Sequence, residues 1–391
     1  MTKVSASAGG PGLKPSGSPA ERFTSQDWTD FPTPVATDES WQFAPLSRVR
    51  PLLDRATTTG TIALRADQRD PVRWSSVIAR HPATGRVLQP ADRVSALAWA
   101  QADRAWILDI PARHTSDRPI TIELHAEPGI AYHHLVINLA RDSSAVVVLD
   151  HHGHTTSSGN VEVSLSQGAR LTLVDLHQWQ DDAVHLSTHA CAVGPSATLH
   201  HVSVNLGGGV VRTAPSVHFL GPGGTAHLIG AGIAGRGQHL ETRLYIDHAH
   251  PDCVSDVLYK NVLNAADART AWTGDVRIRP RARQTSTYEM NRNLILSAGA
   301  RADSVPNLEI ETGDVREAGH ASATGRFDDE QLFYLQARGI PHDQAQRLVV
   351  RGFLGDVVHR IGAPAVRDSV TAAIDARLDR DLLPKGSVTF S

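Results

Sequence analysis

The 391-residue chain has two cysteines, four lysines and few aromatics (5%), and its charge is almost balanced at 38 basic against 41 acidic residues. Each scarcity closes off a class of function. Cys191 and Cys253 cannot build a disulfide framework, nor supply the four thiolates of a self-contained zinc or iron–sulfur site. None of the lysines (Lys3, Lys14, Lys260, Lys385) follows a glycine, so the Gly-Lys of a P-loop is missing, and with it nucleotide hydrolysis by that route. A net charge of −3 argues against nucleic acid held by bulk charge. The longest apolar runs, such as Ala145 to Leu149, are far shorter than the roughly 20 residues that span a bilayer. No apolar segment of the signal type follows the N-terminus, so a cytoplasmic protein away from membranes is expected. The enzyme signatures G-x-S-x-G, H-E-x-x-H and C-x-x-C do not occur.

What the chain does contain is alternation. Residues 1–21 are dominated by Ser, Gly and Pro and predict a disordered tail. Residues 22–60 carry Trp28, Phe31, Trp41, Phe43 and Leu46 among prolines, an aromatic density that predicts a segment docked on something. Over 61–324 short apolar stretches repeat with a period near two, as in Leu171-Thr172-Leu173-Val174-Asp175-Leu176. A small residue, an alanine and a strand-like run recur at Ala145, Ala169, Ala197 and Ala300, and more weakly at Ala226 and Ala268. A tight corner followed by a strand, repeated every 20–30 residues, predicts a mainly β protein with a right-handed β-helix (solenoid) core, in preference to a β-sandwich.

The period becomes helical over 325–391. Asp328 and Gln331 resemble a capping box, and Gly339-Ile340-Pro341 stops the first helix. A second helix carries Ala345, Leu348, Val349, Phe353 and Val357. A third starts at Pro364 and carries Val366, Val370, Ala373, Ile374 and Leu378.

The 21 histidines are the chemical oddity. Adjacent pairs such as His133-His134 and His200-His201 put their rings on opposite faces of a strand, so one pair does not chelate one metal. His248-x-His250 shares a face, and with Cys253 nearby it is the best local metal candidate, although satisfied histidines explain it more simply. His320 lies among small residues (Ala318-Gly319-His320-Ala321-Ser322), which let another backbone or a ligand come close. Gly230-x-Gly232-x-x-Gly235 matches the dinucleotide fingerprint, but no helix-period segment follows to receive a pyrophosphate.

The stretch PNLEIETGDVREAGHASATGRFDDEQLFYLQARGI, Pro306 to Ile340, resembles the signature of the SufB/SufD family of iron–sulfur cluster assembly proteins. Asn291-Arg292-Asn293-Leu294-Ile295-Leu296 is similar to a family strand, with Glu289 where glutamine is usual. Glu39 to Leu46 resembles the family's N-terminal Trp-containing segment. Ala321 after His320 resembles the SufD branch, since the SufB type carries glutamate there. Ala318 stands where many SufD chains carry cysteine, which leaves His320 as the matching ligand candidate.

The resemblance implies a non-catalytic scaffold that pairs with a SufB-like paralogue, or with itself in isolation. It implies a transient iron–sulfur cluster shared with the partner through His320, and a SufC-like ATPase docked on the C-terminal helices. The apolar stripes there offer Phe333, Leu348, Phe353, Val357, Val370 and Ile374 as interface candidates. Two other classes compete. A β-helical polysaccharide-active enzyme needs clustered carboxylates on one face, which are not evident. A His-rich metallohydrolase would start from His248 and His250.

Overall fold

The computed structural model describes residues 22–327 and 329–382. The predicted tail, and the Asp328 end of the capping box, lie outside the described residues. The chain is mainly β, a solenoid of about eight turns followed by helices. A short helix α1 (Leu46–Val49) precedes strands β1 (Ile62–Ala66) and β2 (Arg73–Ile78), helix α2 (Arg93–Gln101), and strands β3 (Arg104–Ile110) and β4 (Ile120–Ala126). The coils follow as β5 (Ile130–Leu139), β6 (Ser144–Gly153), β7 (Thr156–Leu165), β8 (Arg170–Trp179), β9 (Val184–Val193), β10 (Thr198–Asn205) and β11 (Val210–Phe219). They continue as β12 (Thr225–Ala234), β13 (His239–His248), β14 (Val254–Leu263), β15 (Arg269–Ile278), β16 (Thr285–Ile295), β17 (Arg301–Ile310) and β18 (Val315–Arg326). Helices α3 (Asp329–Ala337), α4 (His342–His359) and α5 (Pro364–Leu382) close the described chain.

Strands alternate between two nine-stranded sheets. One runs β1-β4-β6-β8-β10-β12-β14-β16-β18, and the other runs from β2 and β3 through the odd-numbered strands to β17. Pairing is parallel throughout the coils; only β1–β4 and β2–β3 are antiparallel, and they cap the N-terminal end. The period of two places Val147 and Leu149 of β6, Leu171 and Leu173 of β8 and Val161 and Val163 of β7 between the sheets, where they are fully buried. At the corners Gly168 and Ser196 adopt left-handed φ values of +70° and +53°, and the alanine after each is fully buried. The alanine repeat does not keep one register. Ala169 aligns with Ala197, but Ala145 pairs with Leu171 and Ala226 with Leu199, two residues out of step. Corner length varies from coil to coil, and the sheet hydrogen bonds decide the alignment.

The N-terminal segment lies on the outer face of the odd-strand sheet. Trp41, Val49, Leu52 and Leu53 pack on Val184, Leu186 and Val210. Two arginines clamp it. Arg93 of α2 donates to the Phe31 carbonyl at 2.7 Å and stacks over Trp28 at 4.5 Å; Arg212 donates to the Ser40 carbonyl at 3.0 Å and stacks over Trp41 at 4.1 Å. Helix α2 sits on β5 and β7 of that face, an element the strand-period reading of 61–324 missed.

Helices α4 and α5 fold back over the outer face of the even-strand sheet. Val174, Val202, Val204, Ile229, Ile233 and Leu258 make that face apolar, and Val350, Leu354, Val357, Val370, Ile374 and Leu378 cover it. This corrects the interface expectation for three residues: Val357, Val370 and Ile374 are buried in the chain's own core. Lys260 pins α4 there, donating to Asp356 Oδ2 at 2.8 Å and to the Phe353 carbonyl at 3.1 Å.

Candidate functional site

The C-terminal end of the solenoid is open. Strands β17 and β18 are the last of their sheets, and no strand lies beyond either among the described residues. Their outer backbone groups are a template for another chain. His320 sits on β18, in register with Glu289 of β16, so it stacks one strand spacing, about 4.8 Å, beyond Glu289 on the inward-facing row. With no further coil to cover it, this inward-row imidazole is exposed, whereas its counterparts in earlier coils are buried.

Beneath it the interior turns polar. Asn291 and Asn293 of β16 bond to each other at 2.8 Å, and Asn293 reaches Ser304 of β17 at 3.2 Å and Thr324 of β18 at 3.3 Å. The Glu289 carboxyl is buried, and neither of its oxygens has a hydrogen-bond partner. Burial, with the Asp275 carboxylate adding in the same direction, pushes it up to about 8, so near neutral pH it is mostly the protonated acid. Gly274 leaves the room it needs: a Cβ there would lie 2.5 Å from a Glu289 oxygen. The open end therefore presents an exposed imidazole above a neutral carboxyl group. The first can ligate a soft or borderline metal, and the second can release a proton or, beside a cation, become a ligand itself.

The other predicted ligands do not converge. His248 Nε2 is engaged with Ser255 Oγ at 2.9 Å inside the coil, His250 is half-buried in the following turn, and Cys253 Sγ faces the Gly221 carbonyl at 3.4 Å. Burial raises both thiols, Cys191 to about 12, so neither is poised as a thiolate. Gly230, Gly232 and Gly235 lie in β12 and the turn after it rather than ahead of a helix. A Cβ at Gly230 would lie 2.2 Å from the Tyr259 ring, so that glycine makes space inside the coil. On the helices Phe333 is 71% and Leu348 49% exposed, while Phe353 is half-buried and lines a cleft of about 530 Å³ with Val349, Arg292 and Arg326.

Residues 122–353 match the family model described as SUF system FeS cluster assembly, SufBD core domain. The chain belongs to the SufBD family. It is 48% identical over 368 residues to an iron–sulfur cluster assembly SufBD family protein of Mycobacterium tuberculosis, covering 92% of this chain and 93% of that one. Mycobacterium leprae carries two relatives. One is 47% identical over 365 residues (91% of this chain, 93% of the relative), the other 27% over 204 residues (52% and 23%). The SufD protein of Escherichia coli is 27% identical over 251 residues, covering 63% of this chain and 58% of that one. This SufBD chain is thus an iron–sulfur cluster assembly protein of SufD-like type. No helix among its described residues is long and apolar enough to cross a membrane.

Two features of this SufBD fold escaped the residue pattern. Glu289 stood out only as a departure from glutamine, because register with His320 is set by coil pairing. The alternation argument for adjacent histidines holds: His133, His151 and His201 point inward, while His134, His152 and His200 point outward, to Glu162, to Asp150 and onto the His227 ring. Yet inward rings from different coils meet, as β6, β8 and β9 bring His151, His177 and His185 together.

Proposed function

We propose that this chain is a non-catalytic scaffold subunit that pairs through the open end of its solenoid with a SufB-like paralogue and lends His320 to a transient iron–sulfur cluster held between them. The observation that carries this reading is the exposure of His320 on an unpaired edge strand. An edge of this kind extends by pairing with a similar strand, and two sister solenoids meeting end to end would do so about a pseudo-two-fold axis. The two family members of Mycobacterium leprae fit a paralogous pair. A lone chain would satisfy the same edge by forming a homodimer. A cluster held by imidazole and a partner's ligands is easier to hand on than one held by thiolates alone, which suits a chain that must release its cargo.

Energy input would come from a SufC-like ATPase docked on the helices, since this chain has no P-loop. Phe333 and Leu348 remain exposed after α4 and α5 have packed, and they are its expected contacts.

His320→Ala, co-expressed with the paralogue and ATPase and reconstituted with iron and sulfide, should co-elute with both partners. It should retain roughly a tenth or less of the parent's cluster absorbance and iron. Cluster content equal to the parent would sink the ligand role. Leu348→Asp should weaken capture of the ATPase at least about tenfold and leave the thermal midpoint of the isolated chain unchanged. Unimpaired capture would place the docking surface elsewhere.

A further inference from the structure

The interior of the solenoid holds a cluster of imidazoles that is separate from the open end. One nitrogen from each of His151, His177 and His185 lies within 4.8 Å of the other two, and all three rings are buried. His151 and His177 stack with centroids 4.5 Å apart, and the His185 ring stands 5.3 and 5.5 Å from them. A single carboxylate organises two of the three. Asp175 receives His151 Nε2 at 2.7 Å on Oδ1 and His177 Nε2 at 2.8 Å on Oδ2. A carboxylate accepts, so the hydrogen of each ring sits on the nitrogen facing it, and each Nδ1 is left as a lone pair.

These lone pairs are poorly satisfied. His151 Nδ1 is buried with no partner, and so is His185 Nε2, whose Nδ1 is 2.9 Å from Ser157 Oγ. His177 Nδ1 accepts only a long 3.2 Å contact from the Trp179 indole. A coil that needed only packing would fill this layer with aliphatic side chains, as it does with Leu149, Leu173 and Val163 in the neighbouring row. Three converging imidazoles, two of them steered by one carboxylate, form the donor set that borderline divalent ions take, with the carboxylate orienting the ligands from behind.

We propose that His151, His177 and His185 bind one first-row divalent ion of the zinc(II) class inside the solenoid, with Asp175 as the positioning residue. Small ring rotations would bring the nitrogens to the roughly 3.3 Å spacing of a tetrahedral site with bonds near 2.0–2.1 Å. Three imidazoles leave a fourth position for solvent or for His133, whose ring stacks 5.7 Å from His185 with both nitrogens unpartnered. Binding at His177 Nδ1 displaces the indole hydrogen bond, so Trp179, with its ring 5.1 Å from both His151 and His185, reports occupancy. Because the site is enclosed, the ion enters as the coil folds.

The test uses the isolated full chain, unfolded in chelator and refolded with zinc(II) or cobalt(II), with no iron or sulfide present. About one ion per chain should survive desalting, with visible cobalt bands of a four-coordinate site and a change in tryptophan emission. His185→Gln and His151→Asn should each bring retained metal to about a tenth of the parent or less at unchanged circular dichroism. Asp175→Asn should weaken affinity about 10–100-fold. His250→Gln, at a half-buried turn histidine, should retain the full complement. If the refolded parent holds no stoichiometric ion, the cluster is a hydrated polar core and the proposal fails. It fails equally if folded His185→Gln retains as much as the parent. Should the His185 and His151 variants not fold, the cobalt spectrum and tryptophan response of the parent still decide, since surface binding gives neither together. None of these outcomes bears on His320.

Discussion

Between pH 6.5 and 4 this protein is expected to lose stability, because its buried imidazoles stay neutral while those of the unfolded chain take up protons. His248 is pushed down to about 4 by burial, and His189 to about 3 by burial, with His201 among the imidazoles opposing its charge and Asp175 favouring it. Both rings are buried, against Ser255 and Phe219 for His248 and against His201 for His189. In the unfolded chain each would take a proton near 6.5. Between 6.5 and the depressed folded values the unfolded state therefore binds more protons, and stability falls as pH falls. One pH unit of such depression is worth about 1.4 kcal/mol, so each ring costs on the order of 3 kcal/mol by pH 4. Two such terms are comparable with a total stability of roughly 5–15 kcal/mol.

His151, His185 and His201 are shifted down too, chiefly by burial, and steepen the same slope. His152, raised by its hydrogen bond to Asp150, and Glu289, raised by burial, act with the opposite sign: His152 is 41% exposed and its effect is small, while Glu289 offsets part of the loss down to about pH 4.5. Asp247, held at about 2 by His218 and Arg279 in spite of burial, enters only below pH 4. Urea midpoints of the Glu289→Gln variant, measured in chelator at pH 7, 6, 5 and 4, should fall progressively, and adding His248→Gln should flatten the slope by about one proton. A midpoint that stays level from pH 7 to 5 would show that the inward rings are protonated in the folded state.

Glu289→Gln is expected to stabilise the chain, and more so as pH rises. The sign is opposite to that of the histidines. A carboxyl raised from 4.5 to about 8 by burial keeps its proton in the folded state while the unfolded chain has lost it. The native state then binds more protons, and stability declines from pH 4.5 upward until the group ionises near 8. Removing the titration should be worth on the order of 4 kcal/mol at pH 8 and almost nothing at pH 4.5. The amide keeps the volume that Gly274 accommodates and has no proton to lose. Urea unfolding of parent and variant at pH 5 and 8 measures the effect. Equal gains at both pH values would trace it to packing instead of ionisation.

Much of the architecture could be read along the chain because its rules are local. Alternation in β8, the corner before Ala169 and Ala197, the stop at Gly339 and the stripes of α4 and α5 each depend on residues a few positions apart. Helix α2 escaped because it is nine residues long and buried almost all round, so it carries no clear amphipathic period. The helical stripes were correctly seen, but three of their residues were assigned to the wrong neighbour. A stripe says that a face must be covered, not by what, and here the apolar outer face of the even-strand sheet claims Val357, Val370 and Ile374.

Chain order and side-chain period were enough to establish a strand-rich coil, a helical end and a lone imidazole in a family signature, since the two-residue alternation of Cβ atoms and the 3.6-residue turn act within one element. Folding in three dimensions decided which inward side chains share a layer. Contacts between coils depend on corner lengths and on how the two sheets interlock, so His151 meets His177 and His185, Glu289 comes to lie under His320, and only the end of the stack leaves that ring uncovered.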